Sequence, residues 1–434
     1  MGDGRVGVGP QSAVGLGRVT IVFVESAAAM GGVQFSTLYL GQHLNSMMWQ
    51  PIVVCPAEGD LTVACRSSGI AAHSLDCPQL RSTSFRIGRN SAHLPNPLNL
   101  AWDGWATMIA ARKLTRFLKQ VKPDLVVTKG LFSHFYGGLA ARQLGIPCIW
   151  HLQDFISERY WKLYRRFFGH VARWIPDRVV ADGASISRQL PRTVQARTSV
   201  IHNGVDTTVF RPGLNGRCVR RELGIPLDAI VIGHVGRMTP WKGQHYLLEA
   251  FASIAASTQN VYLLFAGAPV FDSDAYQRGL INRTAKLGLN DRVKFAGYRR
   301  DLPLVLAAMN VFAFTSIEKD TSPLTLVSAL SSGLPIVAFA IEGVREMLPP
   351  GEQRLAPVGH VAALAQSIRK LVSDAALRRQ LGASARRLAE SEFGIERYVS
   401  RMQKAFLETA GSYSRTPDCS RQGSRRYAEF AEKL

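Results

Sequence analysis

Acidic residues are scarce in this sequence. The 434-residue chain sets 32 Asp and Glu against 52 Lys and Arg, a formal net charge of +20. A surplus of that size points to an acidic partner: anionic lipid head groups, phosphorylated substrates or nucleic acid. Cysteine is sparse and scattered. Cys55, Cys65, Cys77, Cys148, Cys218 and Cys419 include no C-x-x-C pair, which argues against structural zinc and a disulfide framework, and for a reducing compartment. No apolar run reaches the roughly 18 residues of a membrane-crossing helix, so contact with a membrane is expected only from its surface. The first eighteen residues are rich in Gly and lack an apolar h-region, and they read as a flexible leader. Absent too are a Ser-His-Asp order, an H-E-x-x-H pair, a P-loop and a nucleic-acid-binding module. With 19% charged and 47% hydrophobic residues, a largely disordered chain is excluded.

What the sequence has is alternation. Val19–Glu25, Pro51–Cys55, Asp124–Thr128, Pro147–Trp150, Arg178–Asp182 and Ser199–Asn203 read as strands. Between them, Val33–Met47, Trp105–Leu118 and Phe132–Leu144 have helical spacing. The pattern restarts after the turn-forming stretch at 204–212. Ala229–Val235, Val261–Gly267, Arg292–Gly297, Val311–Thr315 and Pro335–Phe339 alternate there with helices at Gly243–Ala256, Asp274–Leu287 and Pro323–Ser332. Nearly continuous apolar strands between helices predict α/β architecture: two doubly wound parallel sheets in tandem, facing a cleft at the carboxyl ends of their strands. The expected divisions are a leader at 1–18, domains at 19–204 and 205–385, a closing helix at 386–410 and a loose tail at 411–434. The closing helix is the end of one long polar helix predicted from Asp374 to Glu408.

Three stretches carry candidate chemistry. In DTSPLTLVSALSSGLP (Asp320–Pro335), Ser322 reads as an N-cap and Pro323 as the first helical residue. The free amides of Leu324 and Thr325 would then face an anion. Gly236-Arg237-Met238-Thr239-Pro240-Trp241-Lys242-Gly243 leaves a strand at one Gly and enters a helix at the next. Its Arg237 offers a planar fork for a diphosphate and Lys242 a point charge, a pair that can neutralise a nucleotide leaving group without a metal; two solvated loop cations are the plainer alternative. Gly31-Gly32, between the first strand and first helix, removes side chains where a phosphate or sugar approaches the backbone. His151 ends a predicted strand, where it can serve structure or ligand. No carboxylate stands out as a nucleophile.

GRMTPWKG (Gly236–Gly243), HNGVD (His202–Asp206), FAGYRRDLPLVLAAMNVFAFTS (Phe295–Ser316) and the Asp320–Pro335 stretch occur in the order found in GT-B-fold retaining glycosyltransferases of family 4. The chain resembles that family from about residue 19 to 408. The resemblance implies a nucleotide-sugar-binding second domain, an acceptor-side first domain and a C-terminal helix returning to the first. It implies catalytic roles for His151, at the donor sugar, and Asp320, at sugar hydroxyls. Arg237, Lys242, Gly32, Leu324 and Thr325 would bind the donor diphosphate, and Gly31, Gly236, Ser322, Pro323 and Ser328 the nucleotide or sugar. The family's Glu-seven residues-Glu motif departs here: Asp320 replaces the first Glu, Ser328 the second, and Ser322-Pro323-Leu324 the usual Gly-Phe-Gly. Losing a charge-assisted ribose contact at Ser328 would cost about 1.5–3 kcal/mol unless another residue replaces it. Glu346 also sits where the family carries a Glu.

The expected activity is transfer of a sugar from a nucleoside diphosphate donor to an acceptor hydroxyl, with no metal and no cofactor, in polysaccharide, lipopolysaccharide or glycolipid synthesis. A catalytically degenerate scaffold partner and a nucleotide-sugar 2-epimerase are the rival readings. The expected location is the cytoplasm, at the inner face of a membrane, with glycan or lipid-linked acceptors as partners and no nucleic acid. Ser157–Trp174 mixes Arg and Lys with Trp, Tyr and Phe at helical spacing. That helix fits two placements, on an anionic membrane or with its aromatics packed against the N-terminal sheet.

Overall fold

The computed structural model describes residues 18–413 apart from 82–83, 88–91, 157–162, 270–273, 319, 350 and 352–353. The leader at 1–17, the tail from 414 onward and residues 157–162 of the basic aromatic segment therefore lie outside the described residues.

The first domain contains β1 (Val19–Glu25), α1 (Gly32–His43), β2 (Trp49–Cys55), α2 (Asp60–Ser67), β3 (Ala71–Ser74), a hairpin of β4 (Ser84–Ile87) and β5 (Ala92–Pro95), and α3 (Pro97–Val121). It continues through β6 (Leu125–Lys129), α4 (Leu131–Gln143), β7 (Cys148–Leu152), α5 (Leu163–Val171), β8 (Arg178–Ala181), α6 (Ala184–Arg188), α7 (Arg192–Gln195) and β9 (Thr198–Val200). The second contains α8 (Arg217–Glu222), β10 (Ile230–Val235), α9 (Gln244–Ala255), β11 (Val261–Ala266), α10 (Asp274–Lys286), β12 (Val293–Phe295), α11 (Leu302–Ala307) and β13 (Val311–Phe314). After these come α12 (Leu324–Ser331), β14 (Ile336–Phe339), α13 (Glu342–Met347), β15 (Arg354–Ala356), α14 (Val361–Ser373), α15 (Ala375–Glu392) and α16 (Ile395–Tyr413).

The strands form two parallel sheets in the orders β3-β2-β1-β6-β7-β8-β9 and β12-β11-β10-β13-β14-β15. Each order reverses once, between β1 and β6 and between β10 and β13, and the crevices that bind ligands in such sheets open at those carboxyl ends. Helices cover both faces, as the continuous apolar strands require. On the first sheet, Leu114 and Leu118 of α3, Tyr136 and Ala140 of α4 and Phe168 of α5 share one core. On its other face Leu38 and Leu40 of α1 pack with Tyr398, Met402 and Phe406 of α16.

The single long helix expected over 374–408 is two helices. The first ends at Glu392, and its Ala385 and Ala389 belong to a core of the second domain. The chain then turns through Phe393-Gly394, and α16 packs on the first domain, with Phe406 edge-on to Phe23 and Trp49. Residues β3, β15 and the hairpin were not expected as strands. Of the basic aromatic segment, α5 satisfies the packing alternative with Phe168, which is fully buried against Trp150 and Phe135, while Leu163 and Phe167 on the same helix stay exposed.

Glu25 and Lys129, register partners on β1 and β6, are both fully buried. Glu25 accepts hydrogen bonds from Thr37 and Gln34, and Lys129 donates to Ser36 Oγ at 2.7 Å. Burial raises the Glu25 carboxyl and lowers the Lys129 ammonium, each opposed by the other's charge. Removing one buried charge strands the other. Lys129→Met is expected to destabilise by about 3 kcal/mol in urea unfolding, and Glu25→Gln with Lys129→Met by much less.

Candidate active site

The second domain builds one wall of the cleft from the loops after β10 and β13. Pro240–Lys242 forms a single 3-10 turn, and Gly243 closes it at φ +68°. A Cβ at Gly243 would stand 2.0 Å from the Thr315 carbonyl oxygen, so only glycine lets these two loops meet. Thr315 Oγ1 donates to the Lys242 carbonyl at 3.0 Å, lacing them further. The result places Lys242 Nζ 2.7 Å from both carboxylate oxygens of Asp320. Lys242 also lies 4.4 Å from the Trp241 ring centre, and Arg237 lies 5.2 Å from the same ring while remaining exposed. Burial holds the Lys242 ammonium below the ordinary lysine range, against the opposing pull of Asp320.

The loop from Asp320 to Pro323 differs from expectation in one respect. Ser322 is not the N-cap of α12. Pro323 occupies that position, with no side-chain cap, and the helix starts at Leu324. Instead Ser322 Oγ accepts the Asn203 backbone N–H at 2.8 Å, and the Ser322 carbonyl accepts from Asn203 Nδ2 at 2.8 Å. A tertiary partner 119 residues away outcompetes the local capping geometry. Thr321 Oγ1 donates to the Gln153 carbonyl at 3.1 Å, so three bonds fasten this loop to the first domain. The amides of Leu324 and Thr325 open α12 and, as the first two of the helix, have no partner within it. Ser328 is buried one turn further along.

The first domain supplies a polar floor. His151 Nε2 lies 2.7 Å from Asp182 Oδ1, and both residues are buried. Burial holds His151 below the usual imidazole range, against Asp182, so the ring is neutral near pH 7. With the Nε2 proton directed at Asp182, Nδ1 keeps its lone pair, and Nδ1 has no hydrogen-bond partner. The structure thus places His151 behind the cleft surface and not on it. Asp182 Oδ2 also accepts from Gln153 at 3.1 Å and Asn203 at 2.9 Å, which ties this floor to Ser322.

Asp154 is the residue that sequence reasoning passed over. Three positions beyond His151, it is exposed at the mouth of the cleft. Confinement by surrounding protein raises its carboxyl, as does the Asp182 charge; Arg237 opposes the rise and Asp320 adds to it. Groups of both domains therefore act on Asp154 together. The available signal was its position just past the carboxyl end of a central parallel strand.

The remaining candidates are placed as follows. Gly31 precedes α1, where a Cβ would come 3.1 Å from Gln34 Oε1, while a Cβ on Gly32 would meet open space. Gly236 ends β10 beside buried His234. Glu346 receives Arg188 of the first domain at 2.6 Å through Oε1, and its buried Oε2 has no partner. Among the described residues no group of three or more His, Cys, Asp or Glu is gathered as a metal cage, and no helix is long and apolar enough to cross a membrane.

Two parallel-sheet Rossmann-like domains facing a cleft make the GT-B fold. Residues 30–209 match Glycosyltransferase Family 4 and residues 218–388 match Glycosyl transferases group 1, and the chain belongs to that family. It is 28% identical over 339 residues to the Escherichia coli UDP-Gal:alpha-D-GlcNAc-diphosphoundecaprenol alpha-1,3-galactosyltransferase, spanning 75% of this chain and 80% of that one. A D-inositol 3-phosphate glycosyltransferase of Mycobacterium leprae is 33% identical over 189 residues, 42% of this chain and only 43% of its own length. Among solved structures, Anabaena Alr3699/HepE in complex with UDP and glucose superposes with a TM-score of 0.74 at 22% identity, covering 89% of this chain and 99% of that one. Sucrose-phosphate synthase of Thermosynechococcus elongatus gives 0.73 at 19% identity, covering 90% and 99%.

Ser322→Ala leaves the buried Asn203 N–H without an acceptor. The expected cost is about 1–3 kcal/mol in urea unfolding, with Ser322→Thr restoring most of it because the hydroxyl returns.

Proposed function

We propose that this glycosyltransferase moves a hexose from a nucleoside diphosphate sugar to an acceptor hydroxyl with retention of configuration, in the assembly of a cell-surface polysaccharide, lipopolysaccharide or glycolipid. The observation that carries the reading is the enclosed Lys242–Asp320 pair beside the start of α12. It holds a cation in place where a diphosphate would leave. The name of the E. coli relative supports a UDP-sugar donor and an acceptor sugar on diphosphoundecaprenol.

In this reading Lys242 turns from Asp320 to the donor diphosphate, joined by Arg237 and the amides of Leu324 and Thr325. Gly31 and Gly32 let the donor or acceptor approach the backbone. Asp320, released from Lys242, accepts hydrogen bonds from donor sugar hydroxyls, and Asp154 accepts one from across the cleft. His151 positions Asp182 and the floor beneath the sugar. Gly236, Ser322, Pro323 and Ser328 border the nucleotide, and Ser328 offers the ribose a short hydroxyl. The bond from C1 to the diphosphate oxygen breaks as the acceptor oxygen bonds C1 on the same face. The acceptor proton passes to the departing phosphate. Stabilising that leaving group with preorganised charge supplies the rate. No cofactor takes part.

The test incubates the full chain with UDP-, GDP- and ADP-sugars and a polyprenyl diphosphate-linked acceptor, and reads the product anomer by NMR. Transfer that retains the anomer and is unchanged by EDTA supports the proposal. A 2-epimer formed without acceptor identifies an epimerase, and neither hydrolysis nor thermal stabilisation by any donor identifies a degenerate partner. Lys242→Ala is expected to lower kcat by about 10²–10³-fold; full turnover at saturating donor would remove Lys242 from the leaving-group site. Asp154→Asn is expected to lower kcat/KM while leaving thermal unfolding unchanged. Because the Lys242 ammonium sits below the ordinary range, kcat/KM falls with rising pH as the free enzyme loses that proton. Lys242→Arg, which stays charged, should abolish that alkaline fall even at a lower maximal rate.

A further inference from the structure

The sequence offered one basic aromatic helix with two possible placements, and the structure satisfies its inward face with Phe168. The outward face is not solitary. Phe167 of α5 stacks on Phe135 of α4 with ring centres 6.0 Å apart. One turn along α4, Leu139 is exposed and joins Met108 and Arg112 of α3 in lining a groove of about 410 Å³. Arg142, the next turn of α4, donates to the carbonyl of Trp174, a residue 62% exposed. Trp174 in turn borders a hollow with Arg173 and Arg197. Three helices and the turn after α5 thus present one continuous surface.

Its charge is mostly positive, with exposed Asp177 beside Arg142 and Arg197 as an acidic exception. Exposed Trp105, Met108, Leu139, Leu163, Phe167 and Trp174 alternate with exposed Arg112, Arg142, Arg166 and Arg173. On α3 the only acidic residue is Asp103, against Arg112, Lys113, Arg116 and Lys119. The layout also has direction. The carboxyl end of α3 feeds the amino end of β6, so its amino end lies at the cleft side of the sheet. At 1.5 Å per residue the helix runs about 37 Å, with exposed Leu98, Leu100 and Trp105 toward the cleft and the cations toward the far end.

We propose that this outer face of the first domain, formed by α3, α4 and α5, docks on an anionic lipid bilayer. The arginines and lysines meet the head groups, and Trp105, Phe167 and Trp174 enter the interfacial layer. Charge complementarity selects this occupant: apolar side chains interleaved with cations suit a surface that is anionic outside and apolar beneath. Side-on docking sets the cleft rim beside the bilayer. The inference stands apart from the assignment of donor and acceptor, because vesicle binding is read without turnover.

The test is co-sedimentation of the full chain with phosphatidylcholine vesicles, with and without phosphatidylglycerol. Binding is expected to be at least about tenfold stronger with the anionic lipid and to weaken with salt. Arg112→Glu with Arg173→Glu should lose at least about tenfold. Trp105→Ser with Phe167→Ser should lose the binding that survives high salt. Arg379→Glu with Arg387→Glu, the same charge change on α15 of the second domain, should bind as the unmodified chain does. Thermal midpoints and donor hydrolysis show that each variant is folded. Equal binding to both vesicle types overturns the proposal, as does equal loss in the α15 control. So does a finding that the α3 and α5 variants alter only self-association or binding to a single-stranded RNA while vesicle binding is unchanged.

Discussion

A nearly buried ammonium needs a counter-charge within reach, and the second domain is arranged to give Lys242 one. The loop after β10 delivers the lysine, the loop after β13 delivers Asp320, and Gly243 lets the two approach to backbone contact. Desolvation makes an unpaired charge costly, so this pairing fixes both loops. Fixing them orients the start of α12 and the exposed Arg237 beside it. Under the proposed function, exchange of the Asp320 partner for a diphosphate would keep the ammonium compensated throughout.

The same loop couples the two domains. Thr321 and Ser322 bond Gln153 and Asn203, and these share Asp182 with His151. Each member is buried, so none has water as an alternative partner. Geometry at the Asp320–Pro323 loop is thereby referred to the strand ends of the opposite sheet. Ser328 is buried on α12 one turn beyond this loop and takes no part in these bonds.

The central strands of both sheets were legible because burial on two faces leaves nearly uninterrupted apolar runs, and VTIVFVE or VYLLFAG admits little else. Edge elements were not. β3 and β15 are short and polar enough to resemble loop, and β4 and β5 pair only with each other. The break at Phe393-Gly394 was hidden because both flanking helices share a polar, charged pattern. Ser322 failed for a different reason: local propensity favoured a cap, and a residue distant in sequence took the hydroxyl. Motif singled out Lys242 and Asp320 as candidates, but their mutual bond is a property of the fold. Asp154 carried no pattern, only a place at the end of a strand, and its surroundings come from three segments far apart in the chain.

The crossing at Gly394 has a consequence for how the molecule is made. Ile395, Tyr398, Val399, Met402, Ala405, Phe406 and Leu407 complete a core whose other buried members precede residue 202. The first domain to leave the ribosome is thus the last to be finished. Its inner face awaits a helix encoded almost two hundred residues later, after the second domain has been synthesised whole. Order of synthesis and order of completion run in opposite directions, and the first domain is closed by α16, which follows the second.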